Sequence, residues 1–150
     1  MFLVDTNAIS ELRKGAKADP GAVRFLREAE LKIFLPVQVI GELRQGIEKL
    51  RFRGDLPQAL RLEKWFQSTL KIFGERIITF DSTCAQKWGD LMGVNEQHPV
   101  DKQIAAIALV YNLTVVTRNT NDFAGADVRL LNPFLGDAAP ANPSLVRKSH

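Results

Sequence analysis

The chain has 150 residues, 45% of them hydrophobic and 25% charged, the size and make-up of one globular domain around a single core. Cys84 is the only cysteine, so an intrachain disulfide is excluded, and no apolar run approaches the length of a membrane-spanning helix. A net charge of +3 permits contact with a polyanion without requiring it. Residues 1–5 place an acid where a secretion signal needs a basic start and a long apolar run, so a cytoplasmic protein without membrane contact is expected.

In chain order, Phe2, Leu3 and Val4 form a short apolar run that ends at Asp5, and residues 7–13 have helical composition with Ile9 and Leu12 three apart, which reads as strand then helix. Pro20 can open a second helix carrying Val23, Phe25 and Leu26, and residues 32–35 form a second strand. Beyond Pro36 a long helix repeats Val39, Ile40, Leu43, Gly46, Ile47 and Leu50 at the helical period. Gly54 and Pro57 interrupt it, and a further helix bearing Leu60, Leu62, Trp65, Phe66, Leu70 and Phe73 ends at Gly74, giving a helical hairpin. Residues 76–80 read as a strand, Asp81 as the cap of a helix with Cys84, Trp88, Leu91 and Met92, and residues 100–111 as another helix. Residues 113–117 and 128–131 read as the last two strands.

Helices alternating with short, almost wholly apolar strands predict an α/β fold: three α/β/α layers about a short, mainly parallel sheet of four or five strands, with right-handed crossovers. Residues 1–135 are expected to form the domain and residues 136–150, rich in Ala, Pro, Asn and Ser, a flexible tail.

In an open parallel sheet, ligands bind beyond the carboxyl ends of the strands. Asp5 follows the first strand and Asn119 and Asp122 the fourth, and those strands are commonly neighbours where the strand order reverses, so distant acids can share one crevice. Each also suits a turn or a helix cap, and Asp81 is assigned the capping role. Asp101 lies in register with Ile104, Ala105 and Ala108, on the face expected to be buried, where a lone carboxylate is costly. Glu42 flanks the apolar stripe of the long helix, in line with Val39 and Gly46. Four gathered acids repel one another unless cations sit among them, and a hard divalent ion with oxygen ligands meets that condition. Metal-assisted phosphodiester cleavage follows as a chemistry for such a site. His98 and His150 show no zinc-binding spacing, a serine or cysteine triad lacks a base, and no glycine-rich phosphate loop is present. Basic residues crowd two segments, Arg13, Lys14 and Lys17 in one and Arg44, Lys49, Arg51 and Arg53 in the other; both solvated helix faces and contact with a polyanion fit them.

These residues resemble the PIN-domain family, in particular the VapC-type toxins of bacterial and archaeal toxin–antitoxin pairs. The likeness runs from Met1 to about Phe134 and rests on Leu3-Val4-Asp5-Thr6-Asn7, Gly41-Glu42-Leu43, Asp101 with the following Ile-Ala-Ala-Ile-Ala helix, Thr117-Arg118-Asn119 with Asp122-Phe123, and Asn132-Pro133-Phe134. The resemblance implies a PIN-like fold with Asp5, Glu42, Asp101 and Asp122 as metal-binding and catalytic acids, and Asn7, Thr117 and Asn119 as supporting polar groups. It implies an endoribonuclease dependent on Mg²⁺, with Mn²⁺ able to substitute, in which activated water attacks the scissile phosphate and leaves a 5′-phosphate and a 3′-hydroxyl. It further implies a homodimer, an RNA substrate and a small VapB-like antitoxin through which alone operator DNA is bound. The hairpin over residues 37–73 is expected to supply much of the antitoxin groove, although Trp65, Phe66, Leu70 and Phe73 suit an ordinary core equally well.

Two other readings compete. A phosphatase or receiver on a similar sheet would use Asp5 as phosphoryl acceptor, but a phosphatase wants a second Asp where Asn7 stands and a receiver wants a paired acid and a late lysine. A scaffold that keeps the fold without cleaving has no physical reason to retain four mutually repulsive carboxylates.

Overall fold

The computed structural model describes residues 1–135 and the backbone of Leu145–Arg147. Its elements are β1 (Phe2–Val4), α1 (Thr6–Ile9), α2 (Pro20–Glu28), β2 (Ile33–Pro36), α3 (Val37–Phe52), α4 (Leu56–Phe73), β3 (Ile77–Ile78), α5 (Ser82–Val94), α6 (Pro99–Tyr111), β4 (Thr114–Val116), β5 (Arg129–Leu131) and β6 (Leu145–Arg147), with short 3₁₀ turns between some of them. The sheet order is β3-β2-β1-β4-β5-β6, parallel throughout except for β6, which pairs antiparallel with β5. The other residues of the expected tail, 136–144 and 148–150, lie outside the described residues.

Pleating explains why three-residue strands suffice to hold three layers together. Successive residues of a strand face opposite sides, and here both sides are covered. Leu3, Val115 and Leu130 point to one face, where they pack with Cys84, Ile104, Ile107 and Phe123 under α5 and α6. Their neighbours Val4, Val116 and Leu131 point to the other, against Ala8, Ile9, Ala22, Leu26, Val39, Phe73 and Phe134. Strands buried on both faces are apolar at every position, which is why they read as continuous runs.

Caps set the helix starts. The Asp19 carboxylate accepts from the Ala22 N–H at 2.9 Å with Pro20 in the first turn, and Asp55 accepts from the Gln58 N–H at 3.3 Å. Asp81 caps α5 as expected, its Oδ1 accepting from the Cys84 N–H and its Oδ2 from the Tyr111 hydroxyl, both at 2.9 Å. Gly54 stands at φ 86° where α3 turns into α4, a backbone region that favours glycine.

Two segments differ from the sequence expectation. Residues 7–13 form one α-helical turn followed by a 3₁₀ turn over Ser10–Arg13 rather than a continuous helix. The buried Glu11 carboxylate ties this turn to the next element by accepting from the Asp19 N–H at 2.9 Å and pairing with Lys14. The strand expected over residues 76–80 is reduced to Ile77–Ile78: Arg76 belongs to the 3₁₀ turn before it, with its guanidinium donating to the carbonyls of Glu30, Ile33 and Ile72, and the β2 register ends at Ile78.

The hairpin of α3 and α4 is held by charge as well as apolar contact. Glu63 accepts from Arg44 at 2.7 and 3.0 Å and from Arg51 at 2.8 Å, while Glu48 pairs with both arginines and Arg44 lies 5.0 Å over the Phe66 ring. Phe66 and Phe73 are core, Trp65 and Leu70 half-buried.

Gly21 ties α2 to the chain after β5. A Cβ there would meet the Leu135 Cγ at 2.4 Å and the Pro133 carbonyl oxygen at 2.6 Å, and the second contact is backbone that cannot rotate away. Gly21→Ala is therefore expected to lower stability by about 1–2 kcal/mol despite alanine's better helix propensity, a loss that thermal or denaturant unfolding would measure.

Candidate metal centre

The site begins where β1 ends. The Asp5 N–H donates to the Val116 carbonyl at 2.9 Å, extending the parallel β1–β4 ladder by one bond and bringing Asp5 beside Thr117, the residue that follows β4. Asp5 then caps α1, its Oδ1 accepting from the Thr6 N–H at 2.8 Å. Its Oδ2 accepts from the Thr117 hydroxyl at 3.0 Å and faces the Asn7 amide at 3.4 Å. Thr117, fully buried, also accepts from the Asn7 side-chain amide at 3.1 Å and the Asn119 N–H at 3.0 Å. The Asn7 side-chain oxygen closes the network by accepting from the Arg118 N–H at 2.9 Å.

Asn7 and Thr117 thus act through their side chains, whereas Asn119 enters through its backbone. All three orient Asp5 and the loop after β4. Thr6, not singled out as a site residue in the sequence, links a second acid: its hydroxyl donates to Glu42 Oε1 at 2.9 Å, joining α1 to the exposed edge of α3.

Asp101 and Asp122 arrive from the other side. Asp101 lies in the first turn of α6, whose next turns bury Ile104, Ala105 and Ala108, so the half-buried carboxylate sits at the positive end of the helix. Asp122 lies in the 3₁₀ turn Thr120–Phe123, held by the buried Phe123 ring and by its own N–H donating to the Asn119 carbonyl at 3.1 Å. His98, set aside in the sequence for want of a zinc pattern, joins them: ligand atoms of His98, Asp101 and Asp122 all lie within 4.8 Å of one another. Its three-residue offset from Asp101 at a helix start was the signal available.

The electrostatics mark these acids as a group. Burial pushes the Asp5 carboxyl up to about 6; the Thr6 and Thr117 hydrogen bonds oppose that rise, and the charges of Asp101 and Glu42 reinforce it. Burial also raises Asp101, as do Asp122 and Glu42, while His98 lowers it. Among the described residues no lysine or arginine forms an ion pair with any of the four carboxylates. A convergent set of carboxylate oxygens, one of them deeply buried and unneutralised, fits a hard divalent cation. Cys84, in the first turn of α5, is buried in the core against the sheet, which leaves it no part in the site.

A groove with a cavity of about 370 Å³ opens from Thr6 and Glu42 and runs between the first helical turns and the α3–α4 hairpin, floored by Ile47, Leu50 and Phe66 and rimmed by Arg13, Lys49 and Arg53. Arg44 and Arg51 point into the hairpin's own ion pairs instead, so the basic segment divides between structural and rim residues.

Comparison with known proteins identifies the family. Toxin FitB of Neisseria gonorrhoeae is 34% identical over 140 residues, covering 89% of this chain and 99% of FitB. A VapC ribonuclease, Y4jK of Sinorhizobium fredii, is 27% identical over 145 residues, with 89% and 98% covered. The crystal structure of FitAcB from Neisseria gonorrhoeae superposes with a TM-score of 0.75 at 33% identity over 89% of this chain and 98% of that one. The PIN domain pattern matches residues 2–128, and the chain belongs to the PIN-domain family.

Proposed function

We propose that this chain is a divalent-cation-dependent endoribonuclease, the toxin of a VapBC-type toxin–antitoxin pair. The observation that carries the reading is the close grouping of Asp101 and Asp122, with Asp5 and Glu42 near enough to raise the same carboxyls and, among the described residues, no lysine or arginine in an ion pair with any of the four. The family assignment and the ribonuclease and toxin names of its relatives support it.

In this reading the four acids hold Mg²⁺, with Mn²⁺ able to substitute. The bound ion supplies Lewis-acid stabilisation of charge on the phosphate and makes water nucleophilic near neutral pH. The chain's own work is positional. Thr117 and the Thr6 N–H hold both Asp5 oxygens, so the carboxylate presents fixed lone pairs to the cleft. Thr6 holds Glu42 at the cleft edge, and α6 holds Asp101. Unpaired RNA, with its accessible backbone and unstacked bases, suits an open acidic cleft with basic residues at its rim.

The groove beside Glu42 is the proposed seat of the VapB-like antitoxin. Its floor is apolar and its Arg13, Lys49 and Arg53 rim calls for a segment with acidic flanks. The protein is proposed to be a cytoplasmic homodimer with its nuclease domain in residues 1–135, touching operator DNA only through the antitoxin.

Induced expression followed by sequencing of new 5′-phosphate RNA ends tests the proposal. Wild type is expected to arrest growth and yield discrete ends. Asp5→Asn should lower cleavage about a thousandfold, the equivalent of several kcal/mol of lost charge stabilisation. Asp81→Asn, which keeps an acceptor for the Cys84 N–H, should cleave at the wild-type rate. Equal cleavage by wild type and Asp5→Asn would overturn the assignment.

The same acid gives a stability signature. Its folded value of about 6 lies above its unfolded one near 3.8, so the fold penalises the ionised form. The stability associated with Asp5 is therefore complete below about pH 4 and is lost as pH rises through 6. In cation-free buffer at pH 7.5, Asp5→Asn should be more stable than wild type by up to about 3 kcal/mol, and near pH 4 the two should melt together. Saturating Mn²⁺ should raise the melting temperature of wild type far more than that of the variant.

A further inference from the structure

The His98 imidazole stands beside the carboxylates of Asp101 and Asp122. His98 precedes α6 with a left-handed backbone, φ 54° and ψ 58°, and although it occupies the capping position its side chain makes no capping bond. Its Nδ1 lies 3.8 Å from Asp101 Oδ2, and a ligand atom of Asp122 completes a triangle no wider than 4.8 Å. A separation of 3.8 Å is too long for a hydrogen bond. It does match two donors of one coordination sphere, since ligands about 2.1 Å from a common ion stand roughly 3–4.2 Å apart.

The loop that carries the ring is braced from both sides. The Asn95 side-chain oxygen accepts from the Gln97 N–H at 2.8 Å, the buried Lys102 ammonium donates to the Gln97 carbonyl, and the Trp88 indole N–H donates to the Pro99 carbonyl at 3.0 Å. The side chain itself is 46% exposed, so an ion from solution can reach it.

We infer that His98 is a nitrogen ligand of the cation held by Asp101 and Asp122, and that it biases the centre toward Mn²⁺ over Mg²⁺. The inference rests on the metal-dependent reading above. The chemistry is that of the donor: Mg²⁺ takes oxygen ligands and gains little from imidazole, whereas transition-metal ions accept it. The four acids would hold either ion, and the histidine supplies the discrimination.

The test uses the full chain stripped of cations, with Mn²⁺ and Mg²⁺ alone as probes. Pulsed electron paramagnetic resonance of the Mn²⁺-loaded wild type should show nitrogen coupling, and the coupling should vanish in His98→Asn, where asparagine tolerates the left-handed backbone. Since His150 is the only other histidine, coupling that persists in the variant would overturn the assignment. In calorimetric titrations His98→Asn should weaken Mn²⁺ binding at least about tenfold, with Mg²⁺ binding changed less than about twofold. Equal losses for both ions, or Mn²⁺ binding to wild type without nitrogen coupling, would reject His98 as a ligand. Asp101→Asn separates this failure from that of the parent reading: if it removes Mn²⁺ binding while wild type lacks nitrogen coupling, only the histidine is wrong. If neither Asp101→Asn nor His98→Asn alters Mn²⁺ binding, the metal centre fails as a whole. His98→Gln and a thermal melt of each cation-free variant verify that the fold is retained.

Discussion

Parallel pairing of β1 with β4 is the constraint on which the rest of the molecule depends. The register Leu3 to Val115 and Val4 to Val116 joins residues more than a hundred positions apart, and the next bond along, from the Asp5 N–H to the Val116 carbonyl, puts Asp5 beside Thr117. The chain runs to β2 on one side of β1 and to β4 on the other, so a crevice opens where the helices leave on opposite faces. The charges of Glu42 on α3 and Asp101 on α6 both act on Asp5, and Asp122 in the turn after β4 acts on Asp101. A one-residue slip in the pairing would turn Leu3 and Val4 to the wrong faces and break both cores at once, so the geometry of the site is protected by the packing of the domain.

That protection matters because the site works against the fold. Burial and neighbouring charge hold Asp5 and Asp101 above their ordinary values, His98 and Lys102 offset the rise at Asp101 only in part, and among the described residues no lysine or arginine forms an ion pair with either. Elsewhere the chain pairs its charges freely, as in the Arg44, Arg51, Glu48 and Glu63 network of the hairpin. The contrast between neutralised and unneutralised acids separates structural carboxylates from those available to a cation. Glu11 and Asp81 belong to the first group, each satisfied by backbone N–H groups or a paired side chain.

The hairpin adds a second surface continuous with the first. Glu42 on α3 and Thr6, which donates to it, both line the groove, so anything seated along Leu43, Ile47 and Trp65 shares that lining with one of the site acids. Inhibition of such a site by a docked partner would need no conformational relay.

Much of this was legible in the sequence because it is local. Strand and helix periods, Pro at helix starts, the Asp81 cap and the apolar strands each depend on residues a few positions apart, and residues 2–134 follow them except at 7–13 and 76–80. The acids could be suspected one by one, as residues after strands or on buried helix faces. What the sequence could not decide depends on contacts between distant segments. The Arg76 guanidinium reaches the carbonyls of Glu30 and Ile33 from far along the chain, and Trp65 and Phe66 both line the groove although only Phe66 is buried. Thr6 and His98 gained significance only when folding set one against Glu42 and the other against Asp101 and Asp122. The sequence by itself determined which elements form and which acids are available, since propensity and periodicity act over a single turn or strand. Only the tertiary structure decided which side chains share a cleft, because that choice is made by strand order and register, interactions between segments that no local pattern encodes.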